Sequence, residues 1–185
     1  MKSLKFIAVA LVVLIAAALA WLKVVHGGGK PYPGVGTPPL APDSALEKIA
    51  TLDYPPGNVA VSADGRIFFN YHPFAQAHRF EKTTVFELVG GKPQPFPSAE
   101  YQSSYQGVFG MTVDRQQRLW FIEPAGLDHE RTRLLAFDLK TGQPAFEHWF
   151  AKGELPFAQD LRVTADGDTV VLADTGLFKF TDPGL

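Results

Sequence analysis

NVAVSADGRIFF, residues 58–69, decides the fold, because the chain repeats this pattern of apolar and polar positions. The second copy is GMTVDRQQRLWF at 110–121 and the third is DLRVTADGDTVV at 160–171. Each copy alternates apolar and polar residues up to a turn, and the Asp-Gly pair of two copies suits the positive φ of a tight turn. The repeat therefore predicts three equivalent β-hairpins, each closed by a two-residue turn.

The spacing of the copies indicates the architecture. Val61, Val113 and Val163 occupy the same position in the three copies and lie 52 and 50 residues apart. A period of this length is typical of β-propeller blades. Between the hairpins lie further strand-like runs, predicted at 83–89 paired with 92–96 and at 133–139 paired with 144–150. Four strands per period make one blade, so we expect an all-β fold built from propeller blades.

The number of blades predicts an incomplete ring. Residues 46–53 are interpreted as the outer strand of a preceding blade and 177–180 as the third strand of the last, so that 45–185 holds about three blades. A propeller closes with about four to eight. The stop at Leu185 within a blade favours a piece of a longer protein. The alternative is that chains assemble to complete the ring. Because half a ring exposes two apolar sheet faces, we expect poor solubility or self-association.

The amino terminus predicts a membrane segment. Residues 6–22 form an unbroken apolar run of seventeen residues that Lys23 closes, at the lower length limit for a helix that crosses a bilayer. A small-x-small pattern at 18–20 leaves cleavage as an alternative. The length of the run and the position of Trp21 favour an uncleaved anchor. Both interpretations place the folded part outside the cytoplasm, either tethered to the cell membrane or secreted after cleavage.

Three segments follow from these patterns. Residues 1–25 are a signal anchor or signal peptide, 26–44 are a linker, and 45–185 are the partial propeller. The linker, HGGGKPYPGVGTPPLAPDS, contains five Gly and five Pro in nineteen residues. This composition does not form a packed element. We expect it to act as a tether.

Composition excludes several classes of protein. The chain has 17 Lys and Arg against 19 Asp and Glu, a net charge of −2, so it lacks the basic surplus needed to hold nucleic acid. The absence of cysteine excludes a disulfide scaffold, a thiolate metal site and a cysteine nucleophile. Fifteen Pro and 17 Gly argue against a helical bundle.

Three groups of segments carry a family resemblance: YPPGNVAVSADGRIFF at 54–69, GMTVD with RLWFIE within 110–123, and LLAFDL with VLADTG within 134–176. They resemble the bacterial branch of the major royal jelly protein and yellow family, over 46–185. The resemblance implies an exported, six-bladed propeller of which this chain is the first half. Some members of the family bind small amines in the central cavity. No general catalytic motif comes with the resemblance, so no ligand residue is transferred and no catalytic residue is assigned.

A more distant similarity is to the gluconolactonase and senescence-marker lactonases, which hold a divalent cation just before their innermost strands. The positions that would supply the ligands are Gly57, Phe109 and Gln159. None is a carboxylate, and Phe109 has no lone pair to donate. A hydrolase that depends on calcium or another divalent cation is therefore the disfavoured alternative, although Asn58 and Asp160 lie one residue later. No metal site and no cofactor are predicted.

Antiparallel pairing predicts where a binding site lies. The start of the first strand and the end of the second meet at the same end of each hairpin, opposite the turn. Acids, amides and aromatics at this end suit a small cationic or polyhydroxylated ligand. The candidate binding residues are Asn58, Tyr71, His72, Gln106, Phe109, Glu123, Gln159, Asp160 and Asp174. The alternative for Glu123 and Asp174 is that they cap strand ends and bond to loop amides. The sequence thus favours a binding module over an enzyme.

Overall fold

The computed structural model describes residues 2–26, 38, 41–72, 85–125, 130–176 and 184. The chain divides into two compact units, Met1–Glu47 and Lys48–Leu185. The first contains the apolar amino terminus, and the second contains the three copies of the repeat.

The first unit contains one long helix, α1 (Lys2–His26), and a short 3-10 turn at Asp43–Ala45. Within α1, Lys5–Val25 is long and apolar enough to cross a membrane, with a mean hydropathy of 2.6. The described side chains of this stretch are exposed on every side of the helix. The helix predicted from the apolar run at 6–22 is confirmed, and it continues beyond the run at both ends.

In the described part of the second unit, ten strands form three antiparallel sheets. The strands of the first sheet are β1 (Val59–Val61), β2 (Ile67–Asn70), β3 (Val85–Val89) and β4 (Lys92–Pro95). Those of the second are β5 (Met111–Val113), β6 (Arg118–Glu123), β7 (Arg133–Asp138) and β8 (Pro144–Trp149). The third sheet pairs β9 (Ala158–Val163) with β10 (Val170–Asp174). In each sheet, strands that follow one another in the chain are hydrogen-bonded neighbours.

These sheets confirm the all-β class and the three hairpins, together with the strand pairs predicted between them. The strand predicted at 46–53 is wrong, because this segment has no strand conformation. Its side chains Ala50 and Leu52 instead lie over the first sheet, where they line a groove with Val59 and Phe69. Residues 50–53 therefore lie beside the face of the sheet rather than its edge. The strand predicted at 177–180 lies outside the described residues.

The hairpin turns are longer than the predicted two residues. In the first hairpin the Ser62 amide donates to the Arg66 carbonyl (2.9 Å) and the Gly65 amide donates to the Ser62 carbonyl (3.0 Å). The loop therefore has three residues, of which Gly65 takes a φ of 86°. Gln117 takes the equivalent conformation in the second hairpin, with a φ of 61°. Asp-Gly suits the first hairpin because a three-residue loop also needs one positive φ. The third hairpin has a four-residue loop, in which the Thr164 amide donates to the Thr169 carbonyl (2.9 Å) and Gly167 takes a φ of 80°.

The first hydrophobic core joins the first sheet to the second. Phe68 and Val85 of the first sheet are buried together with Leu119, Phe121 and Phe137 of the second. Aromatic residues dominate this contact, and they prefer the edge-to-face geometry that the Phe121 and Phe137 rings adopt, with centroids 5.9 Å apart.

The second core joins the opposite face of the second sheet to the third. Trp120 and Ile122 of β6 are buried with Leu161 of β9 and Leu172 of β10. Strand β6 therefore contributes alternate side chains to both cores. Strands β6 and β7 of the second sheet are buried on both faces, as the continuous apolar run Leu119–Ile122 requires, whereas β8 is exposed.

The three hairpins lie side by side in the same direction. Strand β1 contacts β5, and β5 contacts β9. At the turn end, the Gln116 side-chain amide donates to the Asp166 carbonyl (2.7 Å) and Arg118 Nη2 donates to the Gly167 carbonyl (3.0 Å). Strands at equivalent positions of the repeat are therefore neighbours in space.

Replacing Gly110 with alanine is expected to separate the second and third hairpins. A Cβ atom at Gly110 would lie 2.8 Å from both the Asp160 Cα atom and the Gln159 carbonyl oxygen. Because both are backbone atoms, the strands must move, and overpacking of this kind costs about 1–3 kcal/mol. Urea unfolding of the full chain in detergent micelles, followed by tryptophan fluorescence, measures the change.

Gly184→Ala is the matched control, because nothing lies within 4 Å of its added Cβ atom. Equal stability of the two variants would contradict the close approach of the hairpins at Gly110.

Candidate functional site

The end of the first hairpin opposite its turn is attached to the second hairpin. The Asn58 side-chain amide donates to the Phe109 carbonyl, and the buried Asn70 amide donates to the Val108 carbonyl. Asn70 Oδ1 also accepts from the Asn58 backbone amide at 2.7 Å. The His72 ring packs on the Phe109 ring, with centroids 4.6 Å apart. Polar and aromatic contacts thus join these two ends.

The second and third hairpins meet at the same end. The Phe109 ring contacts the edge of the Phe157 ring, with centroids 5.8 Å apart. Gly110 lies directly against the backbone of Gln159 and Asp160, so close that there is no room for a Cβ atom between them. We call the end of each hairpin opposite its turn the open end. The three open ends are therefore in contact through Phe109 and Gly110.

Five of the nine candidate residues come together at this end, and we call them the rim. Asn58, His72 and Gln159 are half-buried, Asp160 is exposed, and Phe109 is buried. The rim residues are Asn58, His72, Phe109, Gln159 and Asp160. They present two amides, one imidazole, one phenyl ring and one carboxylate.

Glu123 is buried and bonded within the protein. Its Oε1 accepts from the Gln106 amide at 2.8 Å, and its Oε2 accepts from Arg133 Nε at 2.5 Å. Arg133 Nη2 in turn donates to the Ser104 carbonyl at 2.7 Å. Burial raises the pKa of Glu123, whereas the Arg133 guanidinium and the loop amides act in the opposite direction. Glu123 holds the loop before β5, and Gln106 belongs to that loop.

Asp174 has a similar role in the third hairpin. Its Oδ1 accepts from the Gly176 amide at 2.8 Å and its Oδ2 accepts from the Phe157 amide at 3.3 Å. The alternative interpretation of the sequence, that Glu123 and Asp174 bond to loop amides at strand ends, is confirmed. Both carboxylates are buried, so neither forms part of the exposed surface of the rim.

Tyr71 lies in a different aromatic cluster. Its ring makes edge contacts with Tyr54, Phe69 and Phe86, with centroids between 5.3 and 5.8 Å apart. Burial is the main cause that raises the pKa of the Tyr71 hydroxyl. Because Phe69 and Phe86 point away from the first core, Tyr71 belongs to the outward face of the first sheet.

Asn70 is the residue at this end that sequence reasoning missed. It is fully buried: its Nδ2 donates to the Val108 carbonyl just before the second hairpin, and its Oδ1 accepts from the Asn58 backbone amide within the first. A signal was present in the repeat, because the equivalent positions in the other two hairpins hold Ile122 and Ala173. A polar residue at an otherwise apolar position of a repeat indicates a specific hydrogen bond.

Among the residues that the structure describes, there is no group of three or more His, Asp or Glu side chains close enough to hold a metal ion. Asn58 and Asp160, which lie next to the positions of the lactonase ligands, have other contacts. The Asn58 amide is bonded to the Phe109 carbonyl, and Asp160 Oδ1 lies 3.5 Å from Arg162 Nη1.

No family model fits the chain, and no curated protein matches it. The resemblance to the royal jelly and yellow family is therefore still a prediction. Function has to be inferred from the geometry of the rim.

Burial lowers the pKa of His72 below its ordinary value of 6.5. The ring is consequently neutral at pH 7, with one nitrogen as donor and the other as acceptor. The unfolded chain binds the proton more readily, so we expect His72 to lower the free energy of unfolding as the pH falls below about 6.5. In the His72→Gln variant this contribution disappears.

Urea unfolding at about pH 7.5 and about pH 5.5 measures this contribution. The loss of stability between the two pH values should be smaller in His72→Gln than in the unchanged protein. The same pH dependence in both proteins would contradict the burial of a neutral His72.

Replacing Glu123 with glutamine is expected to destabilise the protein strongly. The variant keeps the shape of the side chain but removes the buried carboxylate partner of Arg133, which is left with the exposed Glu147 at 3.5 Å. Breaking a buried ion pair by removing one partner costs about 3–5 kcal/mol. Urea unfolding of the full chain measures the change.

The matched control is Glu130→Gln, which removes one partner of an exposed ion pair with Lys152 at 2.7 Å. Exposed pairs contribute less than about 1 kcal/mol. If the two variants lost the same stability, Glu123 would not have the structural role assigned to it.

Proposed function

We propose that the second unit is a binding module of the β-propeller type, tethered to the membrane outside the cytoplasm, that holds a small molecule at the rim. The observation that carries this proposal is the contact of the three open hairpin ends through Phe109 and Gly110. These contacts bring together residues that are far apart in the sequence, from Asn58 to Asp160. A small ligand there would touch all three hairpins.

The way in which the sheets stack supports the proposal of a β-propeller. Each sheet begins with an inner hairpin, and the first strands of successive hairpins are neighbours. A radial arrangement of blades places equivalent strands in this way around a common axis. The six blades implied by the family resemblance would need further sheets beyond these three.

The chemistry of the rim favours a small amine. The His72 and Phe109 rings pack on each other, the backbone of Asp160 lies against Gly110, and Asp160 carries an exposed carboxylate. Aromatic faces and carboxylates both attract ammonium groups. Asp160 and Arg162 are more than half exposed and 3.5 Å apart, so their attraction is weak in water. The Asp160 carboxylate is therefore accessible to a cationic ligand. Gln159 and the Oδ1 atom of Asn58 add hydrogen-bond acceptors.

The length and apolar character of helix α1 support the proposed attachment to the membrane. Its stretch Lys5–Val25 has 21 residues and the apolar character that a bilayer requires. An uncleaved helix of this kind would keep the second unit at the outer surface of the membrane, and a cleaved one would release it. Recognition of a small molecule outside the cytoplasm is compatible with both.

Thermal unfolding of the full chain in detergent micelles tests the proposal, with 2-phenylethylamine, glucose and calcium chloride as separate probes. We expect the amine to raise the melting temperature, because a ligand at about 100 times its dissociation constant stabilises the folded state by about 2.7 kcal/mol. The Asp160→Asn variant should bind the amine at least about tenfold more weakly, since it loses the charge that faces the ammonium group.

The control is Asp168→Asn, which removes the same charge at the turn end of the same hairpin. It should bind the amine as the unchanged protein does. Stoichiometric calcium together with hydrolysis of a lactone would replace the binding module with a metal-dependent hydrolase. The absence of a shift with every probe would also contradict the proposal.

A further inference from the structure

The first sheet has an apolar face that is exposed along β1, whereas Phe69 at its middle is buried. Val59 and Val61 of β1 are 56% and 58% exposed. Pairing of β1 with β2 and of β2 with β3 places further apolar side chains on this face. The outer face of the first sheet consists of Val59, Val61, Ile67, Phe69, Phe86 and Leu88.

A groove runs beside this outer face. It has a volume of about 490 Å³ and lies between Val59, Phe69 and Leu88 of the sheet and the segment that contains Leu52. Asp53 lies at the groove and is exposed. An apolar surface next to a groove with one acidic residue is typical of a protein contact.

The repeat shows what covers the same face in the other sheets. Met111 and Val113 of β5 occupy the positions of Val59 and Val61, and they pack into the first core against the first sheet. Leu161, the equivalent of Val59 in β9, packs into the second core against the second sheet. In both cases the opposite face of the preceding sheet covers these positions. Of the three sheets that the structure describes, only the first has no preceding sheet over this face.

The third sheet has the complementary open face. Val171 of β10 is 45% exposed and pairs with the exposed Arg162 of β9. The residues equivalent to Val171 are Phe68 and Trp120, and each is buried against the sheet that follows its own. The outer face of the third sheet consists of Asp160, Arg162, Val171 and Ala173.

We propose that the outer face of the first sheet binds the outer face of the third sheet of a second copy of this chain. The contact repeats the packing already present between neighbouring sheets within one chain. Arg162 of one copy also supplies a cation for the acidic side of the groove at Asp53 of the other. In a dimer with a two-fold axis, the first sheet of each copy packs on the third sheet of the other. Both outer faces of each copy are then covered, and the sheets of the two copies close a ring. Asp160 belongs both to this face and to the rim, so the contact is tested without a rim ligand.

The association state of the full chain in detergent micelles tests the contact. Analytical ultracentrifugation should show a dimer, and Val61→Asp should weaken dimerisation at least about tenfold because it places a charge in an apolar interface. The matched control is Val89→Asp. Val89 is 42% exposed at the end of β3 and lies outside both outer faces, so this variant should dimerise normally.

Cross-linking distinguishes the proposed orientation from others. The chain has no cysteine, and Ala63 and Ala165 are exposed at equivalent positions in the turns of the first and third hairpins. Within the chain, the turns of neighbouring hairpins touch each other, as Gln116 does with the Asp166 carbonyl. A mixture of Ala63→Cys and Ala165→Cys chains should therefore be joined by a short bis-maleimide, whereas Ala63→Cys alone should not.

The proposal is overturned if the chain is monomeric, if Val61→Asp dimerises as the unchanged protein does, or if Ala63→Cys cross-links to itself as readily as to Ala165→Cys. A monomer would leave the groove to a small apolar molecule or to a different protein. Efficient self-cross-linking of Ala63→Cys would indicate that two first sheets meet face to face. Circular dichroism of each variant confirms that its sheets are intact.

Discussion

Burial of strands β6 and β7 on both of their faces is the constraint on which the rest of the second unit depends. Phe121 faces the first sheet and Trp120 faces the third, so that one strand contributes to both cores. This arrangement fixes three sheets in a stack and sets their hairpins side by side. The open ends of the hairpins meet because the sheets are stacked in the same direction.

Buried polar groups then fix the alignment of these ends. Asn70 and Glu123 are fully buried, and each is bonded to the protein at both ends of its polar group. Among the described side chains, no buried nitrogen or oxygen lacks a hydrogen-bond partner. Such groups give the hairpins a unique arrangement, because any slip would leave them unpaired. These bonds also reduce the binding surface, because the buried carboxylates of Glu123 and Asp174 are not exposed to a ligand.

The sequence predicted the hairpins well because their signal is repeated. Apolar residues at equal spacing, as at Val61 and Val113, identify a strand even when each copy alone is short. The segment 46–53 was misread because alternation shows which side chains are apolar and not whether they contact the face or the edge of a sheet. Tyr71 is predicted at the binding surface because of its position at the end of the first hairpin, but this position does not show on which face of the sheet its ring packs. The roles of Glu123 and Asp174 depend on loop positions that no local pattern encodes.

The contact of the three open ends is measured most directly by nuclear Overhauser effects between ring protons. The His72 and Phe109 rings are 4.6 Å apart at their centroids, and the Phe109 and Phe157 rings are 5.8 Å apart. In the folded chain, with these rings selectively labelled, cross-peaks should connect Phe109 to both of the others. A folded protein without either cross-peak would show that the three hairpins do not converge at Phe109.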